Sequence, residues 1–200
     1  MLNQLRPAIT LMALFSALTG LAYPLAVTGL AQLVLTGPAN GSLVSRDGTV
    51  VGSSLIGQVF TSDRYFQGRP SATTAPDPKD SSKTVEAPYN AANSAGSNLG
   101  PTSQKLVDRV KTSVQGLGGA PDKPVPADAV TTSASGLDPD IAPAYAAWQV
   151  PRVAAARGLP ADAVQALVAA HTAHQFDVPI VNVLALNLAL DTLAQGSGRP

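Results

Sequence analysis

Few residues in this 200-residue chain could carry chemistry, and most of them have an ordinary structural explanation. His171 and His174 lie three apart within one predicted helix and could share a metal ion, but no third ligand lies nearby. Asp138 and Asp140 flank Pro139 and could act as an acid–base pair, although an Asp before Pro is more typical of a turn or a helix cap. The sequence thus contains parts of a metal site and of an acid–base site, but a complete set for neither.

Nucleophilic and anion-binding groups are similarly incomplete. Arg152 and Arg157 could bind an anion, but five residues apart on a helix they point in different directions, so we predict surface salt bridges. The chain lacks a G-x-x-x-x-G-K-[ST] phosphate loop, an H-E-x-x-H zinc helix and a G-x-S-x-G elbow, and it has no cysteine for thiolate chemistry. Two alternatives stay open: a membrane-anchored outer-face hydrolase using a serine or the aspartate pair, and a solute-binding domain. The candidate serines, none with an obvious activating base in the sequence, are Ser71, Ser94, Ser97 and Ser103.

The N-terminal region predicts a membrane anchor. No charged residue occurs between Arg6 and Arg46, and the apolar run Ile9–Leu35 exceeds the roughly 20 residues that span a bilayer. Pro24 should kink this helix because it lacks an N–H group. A cleaved signal peptide is the alternative, but its apolar core is typically shorter. We therefore predict an uncleaved transmembrane helix over residues 1–36, with Arg6 holding the N-terminus in the cytoplasm.

The remainder of the chain predicts one mixed domain on the outer face. The chain has thirteen basic and thirteen acidic residues, so its net charge does not indicate a nucleic-acid partner. We expect only the N-terminal helix to contact membrane lipids. We expect an α+β extracytoplasmic domain over residues 37–194 and a flexible tail over 195–200. The predicted elements are a hairpin at Asp47-Gly48, a strand at Ser54–Phe60, a long ordered loop at Gln67–Ser103, a helix at Gln104–Gln115, a short strand at Val130–Thr132, two helices or one helix kinked at Pro151 over Ile141–Gly158, a helix at Ala161–Gln175 and a buried helix at Val181–Leu193.

The long loop carries detailed turn chemistry. Gly68 permits conformations that other residues resist, and Pro70 fixes its own backbone angle. Asn98, Gly100 and Pro101 repeat this chemistry just before the predicted helix. A Ser/Pro/Gly-rich disordered linker would not need such residues, so an ordered loop that contacts a partner is favoured.

Several separate motifs in one order carry a resemblance to a known family. They are GSSLIGQVF (52–60), YFQGRPSA (65–72), YN (89–90), GSNLGPT (96–102), SGLDPDI (135–141), QVPRVAAARGL (149–159), HT (171–172) and VNVLALNLALD (181–191). With the N-terminal membrane helix, this order resembles the KdpC family, the C subunits of bacterial potassium-transporting ATPases. The resemblance covers nearly the whole chain.

The resemblance implies a non-catalytic accessory subunit of a high-affinity, ATP-driven potassium import complex. Its partners would be a channel-like potassium-binding subunit, a P-type ATPase subunit and a small single-helix subunit. This chain would bind no cofactor or metal by itself, and the complex would handle ATP, magnesium and potassium. The resemblance also implies a role in assembly and, through Gln149, in raising the ATP affinity of the ATPase subunit. Because ATP is cytoplasmic and the domain is predicted outside, that effect would act through the partners' membrane helices.

We expect the long loop to form the partner interface. Its side chains and exposed backbone could bond a partner, while glycine and proline hold the loop shape and reduce the entropy lost on docking. Arg69 could present a cation to the partner or could brace its own loop. The predicted interface residues are Gly68, Arg69, Pro70, Ser71, Asn98, Leu99, Gly100 and Pro101.

Overall fold

The computed structural model describes residues 2–197, which belong to two compact units divided between Val51 and Gly52. The first unit begins with α1 (Leu5–Ala17), a π-helical turn (Leu18–Ala22) and α2 (Tyr23–Val34). Together they form a 30-residue helical stretch that is apolar and long enough to cross a membrane. The predicted N-terminal membrane helix is therefore present as an element of the fold.

Pro24 lies beside a change of helix type within this stretch. It lies in the first turn of α2, directly after the π-helical turn, and its missing N–H group cannot continue the α-helical pattern. In the same region the Thr19 hydroxyl donates a hydrogen bond of 2.7 Å to the carbonyl of Phe15. The helix thus satisfies this hydroxyl internally, as an apolar environment requires.

A short helix and a hairpin follow the apolar stretch. α3 (Thr36–Ala39) precedes β1 (Leu43–Arg46), which pairs with β2 (Thr49–Ser53). Asp47 and Gly48 between the strands have φ angles of 52° and 78°, as a type I′ turn requires, so the predicted hairpin is confirmed.

The strand predicted at Ser54–Phe60 is wrong. The chain turns instead, with the Ile56 N–H donating to the Ser53 carbonyl at 3.4 Å. Gly57 is buried, and its N–H donates to the Leu137 carbonyl at 2.8 Å. A close approach of two backbones at a glycine, rather than a strand ladder, determines the path of this segment.

The long loop is ordered and contains a small hairpin. β3 (Thr74–Pro76) pairs antiparallel with β4 (Thr84–Glu86), with Ala75 opposite Val85. α4 (Gln104–Gly116) follows and matches the predicted amphipathic helix. Ser103 occupies the N-cap position, but its side chain makes no capping hydrogen bond.

The core of the second unit combines three helices with a three-stranded antiparallel sheet in the order β5-β7-β6. Val181 of the central strand lies opposite both Ile141 and Thr172. The fold is thus of the predicted α+β class, and its buried apolar side chains come mostly from two of the helices, α6 and α8. The elements are α5 (Ala127–Val130), β5 (Asp140–Ile141), α6 (Pro143–Arg157), α7 (Ala161–Ala170), β6 (Thr172–Gln175), β7 (Val178–Asn182) and α8 (Val183–Ser197).

Several element boundaries differ from those predicted. Instead of the short strand at Val130–Thr132, the helix α5 ends at Val130. Pro151 lies inside the single helix α6 on an exposed position, and Gly158 ends that helix with a left-handed φ of 67°.

The last two predicted helices each share their span with a strand. The helix predicted at Ala161–Gln175 stops at Ala170 and continues as β6, while β7 supplies the first residues of the predicted Val181–Leu193 helix. A two-residue turn with positive φ at Phe176 and Asp177 joins the two strands. α8 extends to Ser197 into the predicted tail, and residues 198–200 of that tail lie outside the described residues.

Candidate functional site

Residues 63–67, here called the clamped segment, are held by side chains from two core helices. The carbonyls of Asp63 and Tyr65 accept hydrogen bonds from Arg152 at 2.9 and 3.1 Å. The carbonyl between them accepts one from Arg157 at 2.6 Å. The last two carbonyls are bonded by amide side chains, so all five successive carbonyls have a side-chain donor.

Two buried side-chain amides each bond both the backbone N–H and the backbone carbonyl of one residue in the clamped segment. Asn187 of α8 accepts from the Phe66 N–H at 2.8 Å and donates to the Phe66 carbonyl at 2.9 Å. Gln149 of α6 does the same for Gln67, at 2.8 and 3.0 Å. Asn187 is 2% exposed and Gln149 1%. These pairs replace the strand neighbour that an extended segment would otherwise need, and they fix the entry into Gly68–Ser71.

Arg152 and Arg157 are not the surface salt-bridge residues that their spacing suggested. Their main partners are backbone carbonyls, although Arg157 also pairs with Asp191 at 2.7 Å and lies 4.7 Å from the Tyr65 ring centre. The Arg157 side chain is only 3% exposed. Both arginines reach the clamped segment because it runs across α6, so residues on different sides of that helix can contact it.

Within the predicted interface, Arg69 turns into its own domain. Its Nη1 atom lies 3.0 Å from an oxygen of Asp138, and its Nε atom lies 4.0 Å from Asp128. The other oxygen of Asp138 accepts from the N–H of Asp140 at 3.1 Å, as a turn residue would. In this structure the guanidinium braces the loop, the second of the two roles that the sequence left open.

Ser71 and Thr73, here called the hydroxyl node, connect two parts of the loop to each other and to the turn at Gly136. Ser71 Oγ donates to the Gly136 carbonyl at 2.8 Å and accepts from the Tyr89 N–H at 3.0 Å. Thr73 Oγ1 donates to the Ala87 carbonyl at 2.6 Å and lies 2.9 Å from Ser71 Oγ. The Ser71 hydroxyl is therefore engaged in loop structure, with no base among these partners to activate it.

Tyr89 fills the space between two glycines. Its hydroxyl donates to the Arg69 carbonyl at 2.6 Å, and a methyl group added at Gly57 or at Gly68 would overlap the tyrosine. Burial raises the pKa of the Tyr89 hydroxyl to about 12, the nearby charge of Asp138 adds to this shift, and Arg69 opposes it. The tyrosine is thus a neutral, half-buried part of the loop at physiological pH.

The second half of the predicted interface makes far fewer internal contacts. Asn98 is exposed in a left-handed conformation with φ of 50°, and no hydrogen bond joins its side chain to any residue that the structure describes. Nothing lies within 4 Å of a methyl group added at Gly100. The Gly100 carbonyl accepts from the N–H of Ser103 at 3.0 Å, and Leu99 is half-buried. In this half of the interface the Asn98 side chain is exposed to solvent, and no other described residue uses its hydrogen-bonding groups.

The two halves of the predicted interface line two neighbouring clefts. The first, of about 500 Å³, is lined by Gly68–Ser71 with Tyr89 and apolar side chains such as Phe60. The second, of about 440 Å³, is lined by Pro70 and Ser71 from one half and by Leu99 from the other. The separated sequence segments therefore border a common surface.

The histidines do not form the pair that the sequence suggested. His171 caps the end of α7, with Nδ1 2.9 Å from the Leu167 carbonyl, whereas His174 lies exposed on β6. Within residues 2–197, no group of three histidine, cysteine or acidic side chains is placed to hold a metal ion.

The aspartates lie beside a cleft of about 310 Å³ that also borders Arg69 and Asp128. Burial raises the pKa of Asp140, the charge of Asp138 adds to the shift, and a hydrogen bond from Asn182 opposes it. Asp138 is already paired with Arg69, and no serine, threonine or histidine lines this cleft. The arrangement provides a braced turn rather than an acid–base pair facing a nucleophile.

Asn187 and the clamped segment were missed by sequence reasoning. The available signal was a polar residue within the apolar run Val181–Leu193, since a buried amide in such a helix needs a partner. Its partner at Phe66 lies 121 residues away, and no local pattern identifies it.

Known proteins match this chain over nearly its full length. The family described as KdpC, K⁺-transporting ATPase, c chain, matches residues 5–192. The potassium-transporting ATPase KdpC subunit of Bradyrhizobium diazoefficiens is 59% identical over 199 residues, covering 97% of this chain and 99% of the relative. The corresponding subunits of Rhodopseudomonas palustris and Methylobacterium nodulans are 61% and 62% identical, covering 96% and 97% of this chain and 98% and 99% of theirs.

Proposed function

The chain belongs to the KdpC family of K⁺-transporting ATPase C chains, and on that premise we propose that it is a non-catalytic accessory subunit of a high-affinity, ATP-driven potassium import complex. The observation that carries this proposal is the family match over residues 5–192. In this role the chain assembles and stabilises the complex. Its partners are a channel-like subunit, a P-type ATPase subunit and a small single-helix subunit, which together handle potassium, ATP and magnesium.

The interface of this proposal is the surface bordered by Gly68–Ser71 and Asn98–Pro101. Gly68–Ser71 gives the surface its shape, because Arg69 and Ser71 bond within the domain. Asn98–Pro101 makes the contact with the outer face of the channel-like subunit, because its polar groups are exposed. A loop already held in shape loses little entropy on docking, which favours a stable complex.

The proposed orientation places the N-terminus in the cytoplasm and the second unit on the outer face of the inner membrane. It is supported by Arg6, which is the only charged side chain in the apolar stretch Leu5–Val34 and lies at the N-terminal end of that stretch. Because the chain has no cysteine, Gln115→Cys on the exposed side of α4 gives a unique label. An impermeant thiol reagent should label it in intact cells and should label Gln4→Cys only after permeabilisation. The reverse pattern would refute this orientation.

Any effect on the ATP affinity of the ATPase subunit would, in this orientation, be indirect. The side chain of Gln149 is enclosed and bonds both the Gln67 backbone and Arg152, at 2.7 Å in the latter case. A role of Gln149 in ATP affinity would therefore act by holding the clamped segment and, through it, the partner interface.

Deletion of the chain tests the proposed function. Cells carrying the other subunits alone should fail to grow at limiting potassium, and the remaining subunits should not be recovered together in detergent. Restoring the full chain from a separate copy should restore both. Normal uptake and normal recovery in its absence would contradict an assembly role.

A further inference from the structure

The second cleft contains two cations that the rest of the fold does not use. Lys105 and Arg109 lie four residues apart on α4, hence on one face of the helix, and both line the cleft. Neither side chain has an ion pair or a hydrogen bond to another residue in the described part of the chain. The Nε atom of Arg109 is moreover shielded from solvent without a partner.

Arg109 differs from three other arginines of the same domain, because none of its guanidinium nitrogens has a polar partner among the described residues. The Nε atom of Arg69 is also shielded and unbonded, but the Nη atoms of Arg69 are hydrogen-bonded. Arg69, Arg152 and Arg157 each contact carboxylates and carbonyls of their own chain. A shielded guanidinium nitrogen without an acceptor is costly, because it loses water and gains no hydrogen bond. Such a group is expected to meet an acceptor in the assembled state.

The surroundings of the two cations suit an anionic group. Hydroxyls of Ser97 and Thr132 line the same cleft, and the first turn of α4 contains no acidic residue. Glu86 is the one carboxylate among the lining residues, so it only partly offsets the two positive charges. Asp108, the acidic residue nearest in sequence, instead accepts a hydrogen bond from Gln104 at 2.7 Å.

We propose that the second cleft receives an aspartate or glutamate side chain of a partner subunit, held by Arg109 and Lys105. This inference rests on the proposed function, since it names the chemistry of the partner group at the same interface. The cleft adjoins Leu99 and thus the half of the interface whose polar groups are exposed. A lipid surface fits less well, because lipid recognition uses clusters of roughly four to eight cations on an exposed surface, whereas this cleft is concave and holds two.

Charge substitution in the assembled complex tests this proposal. Arg109→Glu and Lys105→Glu should each lower the apparent affinity of the full chain for the other subunits by about tenfold or more, because an attractive contact with a carboxylate becomes a repulsive one. Lys111→Glu is the matched control, since Lys111 is an exposed cation of the same helix that does not line the cleft. Recovery of the complex in detergent over a salt series should weaken more with salt for the original chain than for Lys105→Gln, because Lys105 is exposed and its contact is open to screening.

The outcomes separate this inference from the proposed function. If Arg109→Glu and Lys105→Glu are recovered as well as Lys111→Glu, the acidic partner is refuted while the accessory role stands. If the unaltered chain is not recovered with the other subunits, the proposed function itself fails. Because Arg109→Glu could also affect folding, Lys105→Gln at an exposed position serves as a second variant. An unchanged melting temperature of the full chain would show that this variant folds normally, so that any loss of recovery reports on binding. Stabilisation of the unaltered chain by inorganic phosphate, lost in Arg109→Gln, would point to a free-anion site and overturn the partner assignment.

Discussion

Two parts of the same loop look alike in sequence and differ in what they contact. Residues 63–71 lead through the clamped segment into Gly68–Ser71, where carbonyls, hydroxyls and the Arg69 guanidinium are bonded within the domain. Residues 98–101 have the same glycine and proline chemistry, yet Asn98 has no hydrogen-bond partner among the described residues and Gly100 has open space around it. Turn chemistry therefore indicates order, whereas unused hydrogen-bonding capacity indicates which ordered segment can bind a partner.

The largest expected effect lies in the clamped segment. Asn187→Leu keeps a similar side-chain volume but removes the partner of both polar backbone groups of buried Phe66. Each unsatisfied buried group costs about 1–3 kcal/mol, so the free energy of unfolding should fall by about 2–6 kcal/mol for the two groups. Denaturant unfolding of the full chain in detergent, followed by circular dichroism, measures this change.

Asn98→Gly is the matched control for that experiment. Glycine accepts the left-handed backbone at this position, and no internal hydrogen bond is lost, so the free energy of unfolding should change by no more than about 0.5 kcal/mol. Recovery of the complex should nevertheless decrease if Asn98 contacts a partner. Equal destabilisation by the two asparagine substitutions would remove the distinction between the segments.

A smaller effect is expected from a pair of glycine substitutions. Gly68→Ala would place its methyl group against the Tyr89 hydroxyl and should destabilise the chain by about 1–3 kcal/mol. Gly100→Ala meets no atom within 4 Å and should leave the unfolding midpoint close to that of the original chain. Combining Gly68→Ala with Tyr89→Phe removes the overlapping oxygen and should recover part of the loss. A similar loss for both alanine variants would show that Gly68–Ser71 is no more tightly packed than Asn98–Pro101.

The smallest expected effect is a pH dependence confined to the first part of the loop. The pKa of the Tyr89 hydroxyl is about 12 in the folded chain and about 10, the ordinary value for tyrosine, in the unfolded chain. As the pH rises, the hydroxyl is therefore deprotonated in the unfolded chain before it is deprotonated in the folded chain. The stabilising contribution of the neutral hydroxyl is therefore complete below about pH 10 and decreases between about pH 10 and 12.

Tyr89→Phe should flatten this decrease in denaturant midpoints measured across that pH range. Some slope should persist because burial also raises the pKa of Tyr145. An unchanged slope in Tyr89→Phe would show that the tyrosine hydroxyl is equally solvated in the folded and unfolded chains.

Local signals account for the elements that could be predicted from the sequence. Asp47-Gly48 favours a type I′ turn by itself, Gly158 ends a helix by its left-handed φ, and the apolar spacing of α4 needs no distant partner. The apolar residues of Ser54–Phe60 gave a false strand because the segment is shaped by Gly57 packing against residues from distant parts of the chain.

The candidate site depends even more on distant pairs. Gln149 meets Gln67 across 82 residues of sequence, and Asn187 meets Phe66 across 121. The residues of Gly68–Ser71 and Asn98–Pro101 could be selected by their turn chemistry. Which of them face inward was not predictable, because the answer lies in the partners that folding brings to Arg69 and Ser71.

The clamp by Asn187 also affects the order of events during biosynthesis. The Phe66 backbone is synthesised early, but its amide partner is close to the C-terminal end of the described chain. Until α8 has been made, the peptide groups of Phe66 have only water as a partner, and contacts between such distant residues form slowly. A ribosome that stops before residue 187 would release a chain with an unfinished loop. The surface that we propose to bind a partner is thus completed only after α8 has been synthesised, which discourages assembly with chains that lack this helix.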